Sequence, residues 1–276
     1  MSGLPSLPRL GRPAALALFV LVAVAPFLYV VSTSLKESKV LFDYPPDWIP
    51  SEPYVGNYTN LVSNYPFVRW VANTLFVASV VTAVKLLIDS MAAYALARME
   101  FTGRKLVLGL MAAAIMIPPA LLIIPLFFLV RDAGLLDTYW ALILPALANP
   151  VGVFILRAFI RGIPEELEDA ARVDDASPWQ VYWHIVLPAI RPGLVIVASY
   201  VFLLQYVDFV WPLVATQSES KLLISTGLAT LKPRTINVDW GLASAASVLS
   251  MVPVTLVFLV FQRRLVGGSL AAGLKG

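Results

Sequence analysis

The side chains that usually carry out chemistry in proteins are scarce in this chain, which excludes most common kinds of reactive centre. The sequence contains no cysteine and a single histidine, His184. Thiol nucleophiles, disulfides, cysteine zinc sites and histidine metal clusters are therefore excluded. No Gly-x-x-x-x-Gly-Lys-Ser/Thr loop occurs, so the sequence offers no evident cradle for the phosphates of ATP. The candidate functional groups that remain are a few charges in apolar surroundings and one charged segment.

Three ionisable residues interrupt otherwise apolar runs: Lys85, Asp89 and Asp208. A charge inside a membrane costs about 2.5 to 3.5 kcal/mol on insertion scales, so each needs a structural or functional reason. Lys85 and Asp89 are four residues apart, which places them on one helical face where they can form an ion pair. Asp208 has no partner nearby in the sequence, and it is predicted either to line a path or to pack against another chain.

The segment 164–188 begins with explicit signals for a short helix. Pro164 suits the first helical position, because its missing N–H costs nothing there. The residues that follow are acidic, which suits the positive end of the helix dipole: Glu165, Glu166 and Glu168. We therefore predict a first helix from about Pro164 to Asp175. One side of it presents Leu167, Ala170, Ala171 and Asp174. The small residues among them allow another backbone to approach closely.

A second helix is predicted to follow at once. Ser177, Pro178 and Gln180 have the spacing of a capping box with proline at the first helical position. The aromatic residues Trp179, Tyr182 and Trp183 that follow are large enough to anchor in a groove of a partner. Exposed aromatic area of this size is typical of an interface, so we interpret the pair as a docking helix-turn-helix. The alternative is an amphipathic hairpin that lies on the membrane surface without a partner.

Composition indicates what must hold these groups in place. Of the 276 residues 59% are hydrophobic and 13% are charged, and the mean hydropathy is +0.81. These values are far from those of soluble globular domains and indicate a membrane protein. The net charge of +3 does not indicate a nucleic-acid partner, because the basic residues are scattered between apolar runs. We therefore expect the chain to lie in a lipid bilayer.

Six apolar runs approach the length of about 20 residues that crosses a bilayer core of about 30 Å. They cover approximately residues 13–35, 70–97, 106–130, 138–157, 190–216 and 240–262. We predict an all-α polytopic membrane protein, a single transmembrane domain over residues 1–276, with the helix-turn-helix between the fourth and fifth spans. Twelve of the 20 Lys and Arg residues then lie on the side of the two termini and seven on the other, so both termini are predicted to be cytoplasmic.

The segment 164–188 resembles the EAA loop of ABC-importer permeases, whose pattern is Glu-Ala-Ala, three residues, Gly, nine residues, Ile-x-Leu-Pro. At these spacings the chain has the following residues: Asp169, Ala170, Ala171, Asp175, Ile185, Leu187 and Pro188. Two positions depart from the pattern. Asp169 is one methylene shorter than glutamate, and Asp175 replaces the glycine of the turn. Because Asp tolerates left-handed backbone geometry better than most residues, we expect the turn to survive.

Other stretches are similar to the carbohydrate branch of this family, and specifically to its maltose-type second permease. They are residues 92–98, Ala-Ala-Tyr-Ala-Leu-Ala-Arg, residues 134–140, Gly-Leu-Leu-Asp-Thr-Tyr-Trp, and the tail 261–276. The resemblance implies a permease in a bacterial inner membrane that imports sugars or related polyols. It implies four kinds of partner: a second permease, two ATPase subunits, an extracytoplasmic substrate-binding protein and the lipid bilayer. The chain itself is expected to be no enzyme and to bind no cofactor or metal, since ATP and Mg belong to the ATPase subunits.

The resemblance also implies roles for particular residues. Contact with the ATPase is expected from Glu168, Asp169, Ala170, Ala171, Asp174, Asp175, Trp179, Ile185, Leu187 and Pro188. The segment 205–212 resembles the family's aromatic-Asn-Asp-Phe-x-Trp-Pro stretch, and carboxylate, amide and aromatic groups together suit a polyhydroxyl ligand. The candidate path residues are Asn73, Gln205, Tyr206, Asp208 and Trp211. The loop 217–239 corresponds to one that reaches into the binding protein, with Leu231, Lys232 and Pro233 as candidate contacts.

Two alternative functions stay open at this point. An ion-coupled secondary transporter needs ionisable groups near the bilayer centre and repeated broken helices, but only three such groups and no internal repeat are found. An importer subunit for glycerol phosphate derivatives is compatible with the same motifs. The apolar runs carry no excess of Arg or Lys, which favours a neutral sugar over a strongly anionic substrate.

Overall fold

The computed structural model describes residues 11–41, 47–231 and 239–273, and this part of the chain is helical without any strand. The helices are α1 (Gly11–Ser34), α2 (Gly56–Asn64), α3 (Phe67–Arg98), α4 (Arg104–Met116), α5 (Pro119–Asp132), α6 (Tyr139–Ala146), α7 (Val151–Arg161), α8 (Glu165–Val173), α9 (Pro178–Val181), α10 (Leu187–Ala189), α11 (Arg191–Val207), α12 (Val210–Ala215), α13 (Ile224–Thr230) and α14 (Trp240–Gly273). A π-helical segment, Tyr182–Val186, joins α9 to α10 without a break. The predicted all-α class is confirmed.

Three helices in the described residues are by themselves long and apolar enough to cross a membrane: Pro13–Ser34, Phe67–Arg98 and Trp240–Leu259. Three further pairs of helices satisfy the same requirement only when each pair is taken together across a bend. The structure therefore contains up to six spans by length and composition. The last helix continues to Gly273, beyond the predicted end of the sixth span at residue 262.

The third apolar run, predicted as one span over residues 106–130, is broken. Helices α4 and α5 meet at an angle of 104°. The break lies at Pro118 and Pro119, and Ile117 before them has an extended backbone with φ −81° and ψ 118°. A proline disfavours helical geometry at the preceding residue and cannot supply the N–H that a continuous helix requires. Pro119 then starts α5, where its missing N–H has no cost.

The fourth and fifth spans are also discontinuous. Helices α6 and α7 are bent by 43° across a break between Ala146 and Val151. The predicted span 190–216 is α11 followed by the short α12, and Asp208 and Phe209 lie between them. The helix before this span ends at Ala189 and is bent by 76° from α11. This bend agrees with the prediction that the second short helix ends before the span begins.

The chain divides into two compact units. One unit comprises residues 1–68 and 228–252. Within it, α1 is exposed along its apolar length up to Leu28, as suits a helix that faces lipid. Asn57 is buried and donates hydrogen bonds to the carbonyls of Ser34 and Lys36, at 2.9 and 2.8 Å. Gly241 packs against this pair so closely that a Cβ would lie 2.7 Å from the Lys36 carbonyl oxygen. These contacts fix the segment that follows α1.

The other unit, residues 69–227 and 253–276, contains the candidate sites. Its buried core is formed largely by α3, α6, α7 and α11 together with the helical segment 178–189. At one end, Gly227 lies against the ring of Trp70, where a Cβ would come within 2.2 Å of a ring atom. Glycine is therefore required at that position for the buried indole to fit.

Candidate functional site

Helix α8 is shorter than predicted by a residue or two at each end, and its C-terminal turn is well defined. Pro164 precedes the helix as its N-cap residue, and α8 ends at Val173. Asp175 has φ +57°, the left-handed conformation that the resemblance required at this glycine position. The N–H of Ala176 donates to the carbonyl of Ala171 at 3.0 Å, and the N–H of Asp175 donates to that of Arg172 at 3.1 Å. This is a Schellman motif, so the expectation that the turn survives is confirmed.

The start of the second helix is as predicted. The hydroxyl of Ser177 accepts from the N–H of Gln180, and the side chain of Gln180 accepts from the N–H of Ser177. Pro178 occupies the first turn. Because the capping box and the Schellman motif are only two residues apart, the turn between the two helices is held from both sides.

The outward face of α8 contains small, apolar and acidic residues. Leu167 is 53% exposed, and Ala170 and Asp174 are also exposed, whereas Ala171 is half-buried. Asp169 is exposed and forms an ion pair with Arg172 within the helix at 2.9 Å. An apolar leucine beside an exposed alanine gives a surface on which a second backbone can lie close.

The aromatic residues of the following helix do not share one environment. Trp179 and Trp183 are exposed, at 54% and 40%. Tyr182 is buried instead, and its hydroxyl is hydrogen-bonded to the hydroxyl of Ser90 at 2.7 Å. The expectation that Tyr182 anchors in a partner is therefore wrong. It binds the segment to α3, and Trp179 stacks on its ring with centroids 5.6 Å apart.

Glu168 also faces inward. It is 1% exposed, and its Oε1 accepts a hydrogen bond from Nε of Arg98 at 2.7 Å. It thus contributes no outward surface for an ATPase and instead attaches α8 to the end of α3. The last members of the predicted set, Ile185, Leu187 and Pro188, are half-buried, and Ile185 and Leu187 pack against the core.

A cavity of about 760 Å³ lies where the broken helices meet. Three of the five predicted path residues line it, Gln205, Asp208 and Trp211. Asn149 and Tyr200, which sequence reasoning did not single out, add an amide and a phenol. Asn149 is a polar residue that precedes a proline within the fourth apolar run, and this signal could have identified it.

Asp208 carries the charge of this cavity, because the other described residues that line it are neutral. The carboxylate accepts hydrogen bonds from the backbone N–H groups of Trp211 and Val210, in the first turn of α12, and of Phe209, which precedes the helix. The indole N–H of Trp211 donates to the carbonyl of Ala141 at 2.9 Å, which fixes the ring at the wall. The cavity offers acceptor oxygens, amides and aromatic faces together, and these are the groups that bind sugars.

Two predicted path residues lie elsewhere. Asn73 is 7% exposed, donates to the carbonyls of Ser220 and Leu222, both at 3.0 Å, and accepts from the hydroxyl of Tyr139 at 2.8 Å. These bonds attach α3 to the loop after α12 and to α6, and Asn73 does not line this cavity. Tyr206 is buried and does not line the cavity, and its ring stacks on Phe202 with centroids 6.0 Å apart.

The predicted intramembrane ion pair is confirmed. Nζ of Lys85 lies 3.0 Å from Oδ2 of Asp89, and both side chains are 3% exposed. Lys85 also donates to the carbonyl of Asn149, in the break between α6 and α7. Asp89 in turn lies against Gly152, where a Cβ would be 2.0 Å from its Oδ2. The pair therefore attaches α3 to the segment that forms one wall of the cavity.

The loop between α5 and α6 is attached to the loop after α12 by Asp137. This residue has φ +56° and accepts hydrogen bonds from the N–H groups of Gln217 and Ser218, both at 3.0 Å. The hydroxyl of Ser218 also donates to the carboxylate, and Lys221 lies 3.5 Å from it. The Ser218 contacts, with Gln217 and Lys221, hold the pKa of Asp137 well below its usual range.

The candidate contacts with a binding protein are only partly described. Leu231 is 6% exposed and so presents almost no side-chain surface. Lys232 and Pro233 lie outside the described residues.

Comparison with known proteins places these features in context. Residues 86–268 match the family described as "Binding-protein-dependent transport system inner membrane component". The chain is 33% identical to the arabinooligosaccharides transport system permease protein AraQ of Halalkalibacterium halodurans over 94% of each chain. It is 34% identical to the diacetylchitobiose uptake system permease protein NgcG of Streptomyces coelicolor, over 92% of this chain and 85% of the relative. It is 32% identical to the trehalose transport system permease protein SugB of Mycobacterium tuberculosis, over 92% and 93%.

Solved structures share the fold. One is a crystal structure of a bacterial ABC transporter involved in the import of the acidic polysaccharide alginate, with a TM-score of 0.84 and 22% identity, covering 94% of this chain and 99% of the other. A second is a bacterial alginate ABC transporter in complex with an alginate pentasaccharide-bound periplasmic protein. Its TM-score is 0.63 at 19% identity, covering 90% and 91%.

Proposed function

Because the chain belongs to the family of inner-membrane components of binding-protein-dependent transport systems, we propose that it is the permease through which an ATP-driven importer takes up a neutral sugar or related polyol. Family members are transport subunits and not enzymes, and this membership disfavours the ion-coupled alternative. The chain pairs with a second permease and with two ATPase subunits that hold ATP and Mg. An extracytoplasmic protein delivers the substrate, and both termini are cytoplasmic.

The observation that carries the proposal is the outward surface of α8. The helix is fixed at its C-terminal end by the Schellman motif at Asp175 and on its inner side by Glu168, while Leu167 and Ala170 stay exposed. A rigid element with an open apolar and small-residue face can transmit the motion of a partner that binds it. We assign this face to the ATPase, and we assign the exposed carboxylate of Asp169, which pairs with Arg172 in this chain, to a basic residue of the ATPase.

Replacing Ala170 with tryptophan tests this assignment. The bulky ring keeps the two backbones apart, so we expect uptake per ATP hydrolysed to fall by at least about tenfold while membrane insertion is unchanged. The matched control is Arg172→Trp, because Arg172 is exposed and, two residues from Ala170, lies on the other side of the same helix. Uptake by the Ala170→Trp complex that equals uptake by the control contradicts docking through this face.

The cavity supports the substrate class. Its charge is the carboxylate of Asp208, which repels phosphate or carboxylate groups but accepts hydrogen bonds from hydroxyls. The ring of Trp211 offers an apolar face to a pyranose. Three relatives are named for arabinooligosaccharides, diacetylchitobiose and trehalose, and these sugars form the panel with which uptake is measured. Glycerol phosphate derivatives are the anionic members of the same panel.

The Asp208→Asn variant tests the proposed substrate class. It keeps the shape and loses the charge, so uptake of the neutral substrate is expected to fall by about tenfold, the equivalent of one charge-assisted hydrogen bond, with equal amounts of assembled complex. A parallel loss of assembly and uptake would assign Asp208 to packing. Faster uptake of a glycerol phosphate derivative by the wild type than of all three sugars would overturn the substrate class.

A further inference from the structure

Arg98, at the C-terminal end of α3, joins three helices through one buried guanidinium. Its side chain is 7% exposed. Besides the 2.7 Å bond from Nε to Glu168, Nη2 donates to the carbonyls of Ile160 and Ile163 at 2.9 and 2.6 Å, and Nη1 donates to Glu165 at 2.9 Å. These acceptors belong to the end of α7, to the turn after it and to α8. The planar fork of arginine is suited to bonding several acceptors at once, and lysine cannot replace it.

The buried part of this cluster, Arg98 with Glu168, contributes most to holding the helices together. Glu168 is buried, whereas the side chain of Glu165 is 77% exposed. Removing one partner of a buried pair leaves an unpaired charge away from water, which is far more costly than the loss of an exposed pair. The Arg98–Glu168 contact therefore opposes any sliding of α8 along α3, and Glu165 adds little.

A second buried ionic group lies on the same helix. Lys85 and Asp89 are about 20 and about 14 Å from Arg98 along α3, at 1.5 Å per residue. Lys85 bonds the carbonyl of Asn149 at the cavity wall, and Asp89 lies against Gly152 of α7. The helix between these two groups is unbroken from Phe67 to Arg98. It thus has one polar attachment to α8 at its end and another to the cavity wall near its middle.

We infer that Arg98 is a positioning residue for transport: through Glu168 it makes α8, α3 and the end of α7 move as one body, so that motion of the docked helix reaches the cavity wall at Asn149. This rests on the proposed docking of α8. The segment 178–189 is a less direct route, because a 76° bend separates it from α11.

The test uses the full importer complex in lipid nanodiscs and in proteoliposomes. The first readout is the distance between spin labels on cysteines introduced at Val173 of α8 and Leu87 of α3, both exposed, in a chain that has no native cysteine. It is measured without nucleotide and with ATP, Mg and vanadate. The second readout is the number of sugar molecules taken up per ATP hydrolysed, with whichever of trehalose, diacetylchitobiose or arabinotriose the wild type transports.

In the otherwise wild-type complex we expect one narrow distance distribution that is the same in both nucleotide states. Arg98→Ala and Glu168→Gln are expected to broaden or shift it and to lower uptake per ATP by at least about tenfold. Arg98→Lys is expected to restore little, since it lacks the fork. Glu166→Gln is the matched control on the same helix, because Glu166 is exposed, and it should stay within about twofold of the wild type.

A merely structural role predicts less assembled complex with an unchanged uptake-to-ATP ratio, and that result overturns the inference. So does a distance that already changes between nucleotide states in the wild type. If Arg98→Ala fails to assemble, Glu168→Gln decides the question by the same two readouts. Failure of the proposed function can be distinguished from failure of this inference, because without the proposed function even the wild type shows no ATP-dependent uptake.

Discussion

Replacing Lys85 with methionine should destabilise the protein strongly, because it leaves the buried carboxyl group of Asp89 without its ionic partner. At 3.0 Å and an effective dielectric constant of about 20, the gross attraction within the pair is roughly 5 to 6 kcal/mol, much of it offset by desolvation. Removing one partner of such a pair typically costs about 3 to 5 kcal/mol. At about 2 to 4 °C per kcal/mol, the apparent melting temperature should fall by about 6 to 20 °C.

The double variant Lys85→Met/Asp89→Leu shows whether the loss of stability comes from leaving one buried charge without its partner or from removing the ion pair as a whole. Replacing a buried ion pair with apolar side chains of similar volume is often close to neutral, so most of the loss should be recovered. A residual deficit of about 1 kcal/mol is expected, because the carbonyl of Asn149 has lost the donor that Lys85 provides. The measurement is the thermal unfolding of the purified complex, followed by intrinsic tryptophan fluorescence.

The matched control is the exposed pair Arg131–Asp132, which has a similar separation of 2.8 Å with side chains 51% and 67% exposed. Arg131→Met should change stability by less than about 1 kcal/mol. The reasoning is refuted if Lys85→Met is no more destabilising than Arg131→Met. It is refuted equally if the double variant melts as low as the Lys85→Met variant.

Two further predictions concern the residues with positive φ. Asp175→Gly should raise the free energy of unfolding by about 1 kcal/mol, because a left-handed backbone conformation costs a non-glycine residue about that much. A melting temperature equal to or below that of the wild type would contradict this prediction. The lowered pKa of Asp137 means that its contacts with Ser218 stabilise the folded state above the ordinary carboxyl pKa of about 4, and that this contribution is lost as the pH falls through the lower folded value. Protease cleavage in the loop around Ser218 should therefore be independent of pH between about pH 5 and 8 and should increase only below about pH 4. The Asp137→Asn variant should be cleaved at every pH. Equal protection of the two proteins at pH 7 would count against the argument.

Features that depend on neighbouring residues were predictable from the sequence. The capping box of Ser177 and Gln180 and the ion pair of Lys85 and Asp89 each connect residues three or four positions apart, so helical geometry alone brings them together. The turn at Asp175 was predictable because few residue types tolerate a left-handed backbone.

Features that depend on packing were not predictable in the same way. Arg98 and Glu168 are 70 residues apart in the sequence, and neither pattern nor spacing indicates that they meet. Tyr182 is as aromatic as its exposed neighbours, but its hydroxyl finds Ser90 only once the helical segment lies against α3. Asn73 is polar within an apolar run, which suggested a path, yet its amide binds carbonyls of a distant loop.

The breaks in the spans explain how so apolar a chain can form a polar cavity. A continuous helix satisfies its own backbone groups and presents only side chains, and few polar side chains are available when 13% of the residues are charged. Each break leaves carbonyl and N–H groups without helical partners, and non-helical backbone is tolerated at membrane depth where it lines a cavity. The break between α4 and α5 contributes Ile117 and Pro119, the break between α6 and α7 contributes Asn149 and Pro150, and the break between α11 and α12 contributes Asp208. All five residues line the same cavity. A break of a few residues barely changes the mean hydropathy of a run, so the apolar runs indicate only where the chain can cross the membrane. The positions of the polar cavity wall within these runs correspond to the prolines and to Asp208.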